Sequence, residues 1–112
     1  MNIKRGDVFL VNFNPARGSE QAGCRPSVVI QNNVGNSHGS TTIIAAITTT
    51  VNKIYPFMVR LSIGESGLDK ESAVNLAQIL TIDKTRLVNK LGCLSDERMD
   101  EVDKAIKLSL DL

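Results

Sequence analysis

The chain has 112 residues, enough for one hydrophobic core and too few for two, and its 42% hydrophobic and 22% charged residues exclude a disordered or fibrous protein. A net charge of +1 excludes any argument from overall charge for binding a polyanion, so a nucleic-acid site must rest on local residues. The longest apolar run, Ile43 to Ile47, is far short of the roughly 20 residues of a membrane span, and MNIKRGDVFL at the N-terminus has no apolar signal core, which together point to the cytoplasm and away from a membrane.

Asp7 to Phe13 (DVFLVNF) and Pro26 to Asn32 (PSVVIQN) are rich in Val, Ile and Phe and bounded by Gly, Pro, Asn and Asp, which predicts two strands. Asn33 to Ser40 (NVGNSHGS) is expected as a mobile loop. Thr41 to Thr50 (TTIIAAITTT) is β-branched almost throughout and predicts a third strand. In Pro56 to Ile63 (PFMVRLSI), Phe57, Val59, Leu61 and Ile63 alternate with Met58, Arg60 and Ser62, the period of a half-buried strand. Gly64 to Lys70 is again expected as a mobile loop. Glu71 to Leu80 (ESAVNLAQIL) fits a helix by propensity or a buried strand by its apolar run. Ser95 can cap a helix over about residues 95–110, with Asp96 and Glu97 at the positive end of its dipole and Met99, Val102, Ile106 and Ser109 or Leu110 at helical spacing. The prediction is one domain over residues 1–112, α+β and mainly β: an antiparallel sheet or small barrel with a C-terminal α-helix docked on it.

One stretch carries chemistry. In GSEQAGCRPSVVIQNN, Gly18 and Gly23 let the chain curl so that Ser19, Glu20 and Gln21 are presented together. Arg25 precedes Pro26 and is therefore pushed into extended geometry at the root of a strand. A carboxylate that takes a proton from an attacking hydroxyl, beside a guanidinium that grips phosphate, suits phosphodiester cleavage without a metal. The same spacing also suits a weak surface salt bridge between Glu20 and Arg25. Cys24 and Cys93 build no disulfide framework and lack metal-knuckle spacing, as expected in a reducing compartment. His38 is the single histidine; alone it cannot supply the acid and base of a two-histidine ribonuclease, and a loop position suits a solvated side chain. Tyr55, Phe9, Phe13 and Phe57 are the whole aromatic set, and the phenylalanines read as core, so base stacking is not expected to dominate RNA binding.

Several motifs occur together and in order: K-R-G-D-V at Lys4 to Val8, P-x-x-G-S-E-Q-x-G-x-R-P at Pro15 to Pro26, V-V-I-Q-N at Val28 to Asn32, G-N at Gly35 and Asn36, A-A-I-T at Ala45 to Thr48, and Q-I-x-T-I-D-K-x-R-L at Gln78 to Leu87. In these, nearly end to end, the chain resembles the MazF/PemK family of toxin endoribonucleases. The resemblance implies a small SH3-like (CcdB-like) β-barrel with a C-terminal helix, a homodimer, and cleavage of single-stranded mRNA at short motifs without metal or cofactor, restrained by a cognate MazE-like antitoxin. It implies Arg25 and Thr48 as catalytic, Glu20 as the general base of some members, and Ser19, Asn32 and Gln78 as residues lining the RNA groove. Asn32 also fits a turn residue that closes the strand. Ala77 falls where some relatives carry an acid, so base recognition there differs from theirs. The same barrel also serves toxins that bind a protein target such as DNA gyrase without cleaving anything, and the fold does not distinguish the two. Arg25 and Thr48 with the G-S-E-Q loop do, since a gyrase-binding module has no chemical use for them.

Overall fold

The computed structural model describes residues 2–14 and 23–112. Strands β1 (Asp7–Asn12), β2 (Cys24–Val29), β3 (Thr41–Thr48), β4 (Met58–Leu61), β5 (Ser72–Asp83) and β6 (Leu87–Cys93) form one antiparallel sheet in the order β4-β5-β3-β2-β1-β6. Helix α1 (Asn33–His38) joins β2 to β3, and helix α2 (Asp96–Leu110) follows β6.

Both faces of the sheet are buried, which is why β2 and β3 read as continuous apolar runs rather than as clean alternation. Val8, Val28 and Ala45, neighbours across three strands, face α2 and pack with Val102 and Ala105. Phe9, Val11, Val29, Ile44, Ile82 and Leu87 form a second cluster on the opposite face. Each fully buried Val or Ile contributes about 1.5–3 kcal/mol. Helix α2 starts as its spacing predicts: the Ser95 hydroxyl accepts the Arg98 N–H, and Asp96 and Glu97 occupy the first turn. Its sheet-facing stripe ends on Ser109, whose hydroxyl donates to the Leu76 carbonyl at 2.7 Å, while Leu110 is exposed. No helix among the described residues is long and apolar enough to cross a membrane.

Within Glu71 to Leu80, everything from Ser72 onward is strand β5, which runs on to Asp83. Pairing with β3 on one side and β4 on the other overrides the helix propensity of its Ala, Leu and Gln. Strand β4 is shorter than the alternation implies, because Pro56 and Phe57 belong to a turn closed by Met58 N–H on Tyr55 O and Ile63 lies outside the ladder, exposed. Strand β6 has no clear alternation in LVNKLGC; it is an edge strand whose Val88, Asn89 and Lys90 face solvent.

The stretch expected as a mobile loop at Asn33 to Ser40 is instead helix α1 and its caps. The Asn32 side chain accepts the Gly35 N–H, and buried Asn36 donates to Gln31 O while accepting from the Thr42 hydroxyl at 2.7 Å and Gln31 Nε2 at 3.0 Å. Lys84 reaches the Asn36 carbonyl from the end of β5. These bonds are local polar chemistry that leaves no trace in hydrophobic periodicity.

Gly64 to Lys70 is likewise held, and it completes the barrel-like shape. Strands β4 and β6, the two edges, do not pair with each other; the 3-10 turn Glu65–Gly67 spans the gap between them. The Ser66 hydroxyl donates to Cys93 O at 2.9 Å, and Glu65 takes two bonds from the Arg98 guanidinium, at 2.8 and 3.1 Å. Gly67 has φ +79°, and a Cβ there would sit 2.1 Å from the Leu91 carbonyl oxygen. Gly67→Ala is therefore expected to destabilise the fold by at least about 2 kcal/mol, lowering Tm by roughly 8 °C or more. A thermal melt by circular dichroism checks this, and an unchanged Tm would mean that the turn is not seated on β6.

The Arg98 hydrogen bonds, aided by the Ser62 N–H and opposed by partial burial, hold the Glu65 carboxyl below its ordinary pKa. A carboxyl whose pKa is lower folded than unfolded adds stability above its unfolded value of about 4.3, and that stability is lost as pH falls through the folded value. Glu65→Gln is thus expected to cost stability at neutral pH and to flatten the acid limb of a Tm-against-pH series. Parallel acid limbs for wild type and variant would refute the coupling.

Candidate functional site

The ladder between β2 and β3 pairs Val28 with Ala45 and Ser27 with Ala46, and there it stops. Continued two residues further, the same register sets Arg25 of β2 against Thr48 of β3. Alternate residues share a face, so both project from the face of Ser27 and Ala46, the one turned away from α2. The two candidate catalytic residues thus lie on one face of the sheet, past the last pair of the β2–β3 ladder.

Strand β5 pairs with β3 on its other side. Ala45 is opposite Ile79 but Ala46 is opposite Asn75, so Leu76, Ala77 and Gln78 form a bulge. Asn75 Oδ1 accepts the Ala77 N–H at 3.0 Å, Leu76 N–H donates to Phe57 O at 3.0 Å, and Ser109 of α2 holds Leu76 O. Leu76 is driven into the core while Ala77 and Gln78 are turned out to solvent. Two adjoining cavities share those two residues. One of about 550 Å³ is lined by Arg25, Phe13, Ala46 and Leu80; the other, of about 670 Å³, by Thr48, Lys53, Tyr55 and Asn75.

Of the five arginines among the described residues, four are committed. Arg5 pairs with Asp103, Arg60 with Glu71, Arg98 with Glu65 and Glu101, and Arg86 donates to the carbonyls of Asn12 and Asn14. Arg25 is exposed and lines the cavity of about 550 Å³, and no ion pair or side-chain hydrogen bond joins it to another described residue. Thr48 is half-buried, and its Oγ1 accepts the Thr50 N–H at 3.1 Å. That bond occupies the oxygen and leaves the hydroxyl proton to donate outward. A planar fork of donors and a further hydroxyl donor on the same face of the sheet are groups suited to binding a tetrahedral oxyanion.

Gln78 is brought to these cavities by the bulge. Asn32 is not: it lies beyond the other end of β2 from Arg25, with its side-chain oxygen spent on capping α1. Ser19 and Glu20 lie outside the described residues. His38 is exposed at the end of α1, its Nδ1 2.9 Å from Val34 O, and Cys24 alternates to the face opposite Arg25. Among the described residues no group of three His, Cys, Asp or Glu side chains could hold a metal ion. Tyr55 and Phe57 were not singled out by their spacing, yet they stack in parallel on the wall of the Thr48 cavity. The one signal for them is a tyrosine set in the polar segment VNKIYP, where a core role is unexpected.

Comparison with known proteins places the chain in a family. The chain is 49% identical over 111 residues to Endoribonuclease MazF of Staphylococcus saprophyticus, covering 98% of this chain and 92% of that protein. An endoribonuclease in complex with its cognate antitoxin from Mycobacterial species superposes with a TM-score of 0.82 at 23% identity, over 98% of this chain and 96% of the other. MazE-MazF from Deinococcus radiodurans superposes with a TM-score of 0.79 at 20% identity, over 100% and 98% of the two chains. These two likenesses establish the fold. A family model described as PemK-like, MazF-like toxin of type II toxin-antitoxin system matches residues 4–110. On the family model and the near full-length relative together, this chain belongs to the PemK-like, MazF-like toxins of type II toxin-antitoxin systems.

Proposed function

We propose that the chain is an endoribonuclease toxin that cuts single-stranded RNA in the cleft between Arg25 and Thr48. The observation that carries this reading is that Arg25, unlike the other described arginines, has no ion pair or side-chain hydrogen bond among the described residues. The ribose 2′-hydroxyl attacks the adjacent phosphorus; an O2′–P bond forms, the P–O5′ bond breaks, and O5′ takes a proton. Arg25 binds two phosphate oxygens and offsets the charge that builds on them. A guanidinium does not give up its proton in a protein, so Arg25 stabilises charge and water supplies the proton that O5′ takes. Thr48 donates its hydroxyl proton to a non-bridging oxygen and holds the phosphorus in line. Glu20 or a water accepts the 2′ proton, and Ser19 and Gln78 contact the edges of splayed bases.

The toxin works in the cytoplasm as a homodimer, without metal or cofactor, and is restrained by a MazE-like antitoxin that covers the cleft near Arg25. The test is to incubate antitoxin-free protein with a long unstructured RNA in excess EDTA and map the new 5′ ends. Discrete cuts sharing a short motif support the reading. Intact RNA would replace it with a toxin that binds a protein target without cleaving.

A further inference from the structure

We propose that the Tyr55–Phe57 stack in the Thr48 cavity is a nucleobase-binding subsite that sets the preferred base at one position beside the cut. The inference rests on the endoribonuclease reading above and adds to it a recognition surface. The two rings are parallel within 3° with centroids 5.3 Å apart, an offset stack that leaves part of the ring faces uncovered. Tyr55 is 44% exposed, whereas an aromatic recruited for packing would be turned inward. The platform is pinned at both ends: Tyr55 O accepts the Met58 N–H at 2.9 Å, Phe57 O accepts the N–H of Leu76 on the β5 bulge, and Pro56 restricts the backbone between them. A base would therefore dock on preformed rings and not have to order them.

Lys53 Nζ lies 5.0 Å from the Tyr55 centroid. An exposed lysine over an aromatic ring is a weak, hydrated contact, and a stacked base is the stronger one, so a base displaces the ammonium and leaves it beside the RNA backbone. Asn75 gives the cavity its chemical preference. Its side-chain oxygen accepts the Ala77 N–H at 3.0 Å, which fixes the orientation of the amide, and the NH₂ is the group with no such bond, which favours a base that presents an acceptor. Thr48 lines the same cavity, so a base seated on Tyr55 belongs to a nucleotide adjoining the scissile phosphate.

Tyr55 is the chain's one tyrosine, so protein labelled with 3-fluorotyrosine carries a single ¹⁹F resonance that reports on this ring alone. Adding a single-stranded 2′-O-methyl RNA, which lacks the attacking hydroxyl, is expected to move that resonance upfield as a base stacks. Tyr55→Ala is expected to raise KM about tenfold with kcat little changed and to relax the mapped cut motif at one position, while Tyr55→Phe retains both. If wild type cleaves RNA but the resonance stays still and Tyr55→Ala keeps motif and KM, the subsite is refuted and the ribonuclease reading stands. If the resonance moves but wild type leaves RNA intact, the base site stands and the cleavage reading fails. A resonance that moves with antitoxin and not with RNA would reassign the platform to protein docking and overturn the proposal.

Discussion

Arg25→Ala is expected to lower the rate of RNA cleavage by roughly 10³-fold or more, the scale on which removing a positioned cation from a phosphoryl-transfer site acts. The side chain is exposed and makes no bond among the described residues, as at a surface site away from the core, so stability should move by no more than about 0.5 kcal/mol. Cleavage rate in excess EDTA and Tm, measured on the same preparation, check the two halves of the statement. Arg25→Lys keeps the charge but loses the fork that engages two phosphate oxygens at once, and it should recover only part of the rate. Wild-type cleavage by Arg25→Ala would take this residue out of the mechanism, and a collapsed fold would mean that its role is structural.

Thr48→Val is expected to reduce kcat by about 10²- to 10³-fold, as loss of one preorganised donor does. Valine reproduces the shape of threonine, and the Thr50 N–H that loses its acceptor sits at an exposed position where water replaces it. Thr48→Ser keeps a hydroxyl on the same backbone and should retain most of the rate. Recovery by serine separates donation to the phosphate from packing, which serine would not restore. Turnover near wild type in the valine variant would leave Arg25 without its partner across the cleft.

Much of the fold was legible along the chain. Strands β1 and β3 and helix α2 lie where alternation, β-branching and the Ser95 cap place them, because those signals are local: a residue's neighbours one to four positions away decide them. The two stretches expected to be mobile, around Asn36 and Ser66, are held by bonds to Thr42, Lys84, Cys93 and Arg98. Nothing in NVGNSHGS or IGESGLDK announces such partners, since they come from distant strands and from the helix at the far end of the chain. The strand-or-helix ambiguity of ESAVNLAQIL has the same origin: its propensity is helical, and its two neighbouring strands outweigh it.

The candidate site divides along the same line. The chemistry of Arg25 is readable in one dimension: proline after it sets an extended backbone, and a guanidinium has few uses as well matched as a phosphate. Motif resemblance nominates Thr48 and Gln78 as its companions. The β2–β3 register, set by Ser27 pairing with Ala46 across 18 intervening positions, places Arg25 and Thr48 on one face when it is continued past that last pair. Gln78 faces the cleft, Asn32 is spent as a helix cap, and Tyr55 and Phe57 become a wall of the Thr48 cavity for reasons of the same kind: a bulge, a cap and a turn whose hydrogen-bond partners are distant or lie in local polar contacts that periodicity does not encode. Composition, spacing and motif resemblance thus nominated candidate side chains for the chemistry, while which of them share one face awaited the folded sheet, because register and bulges are set by pairing between strands and not within any one of them.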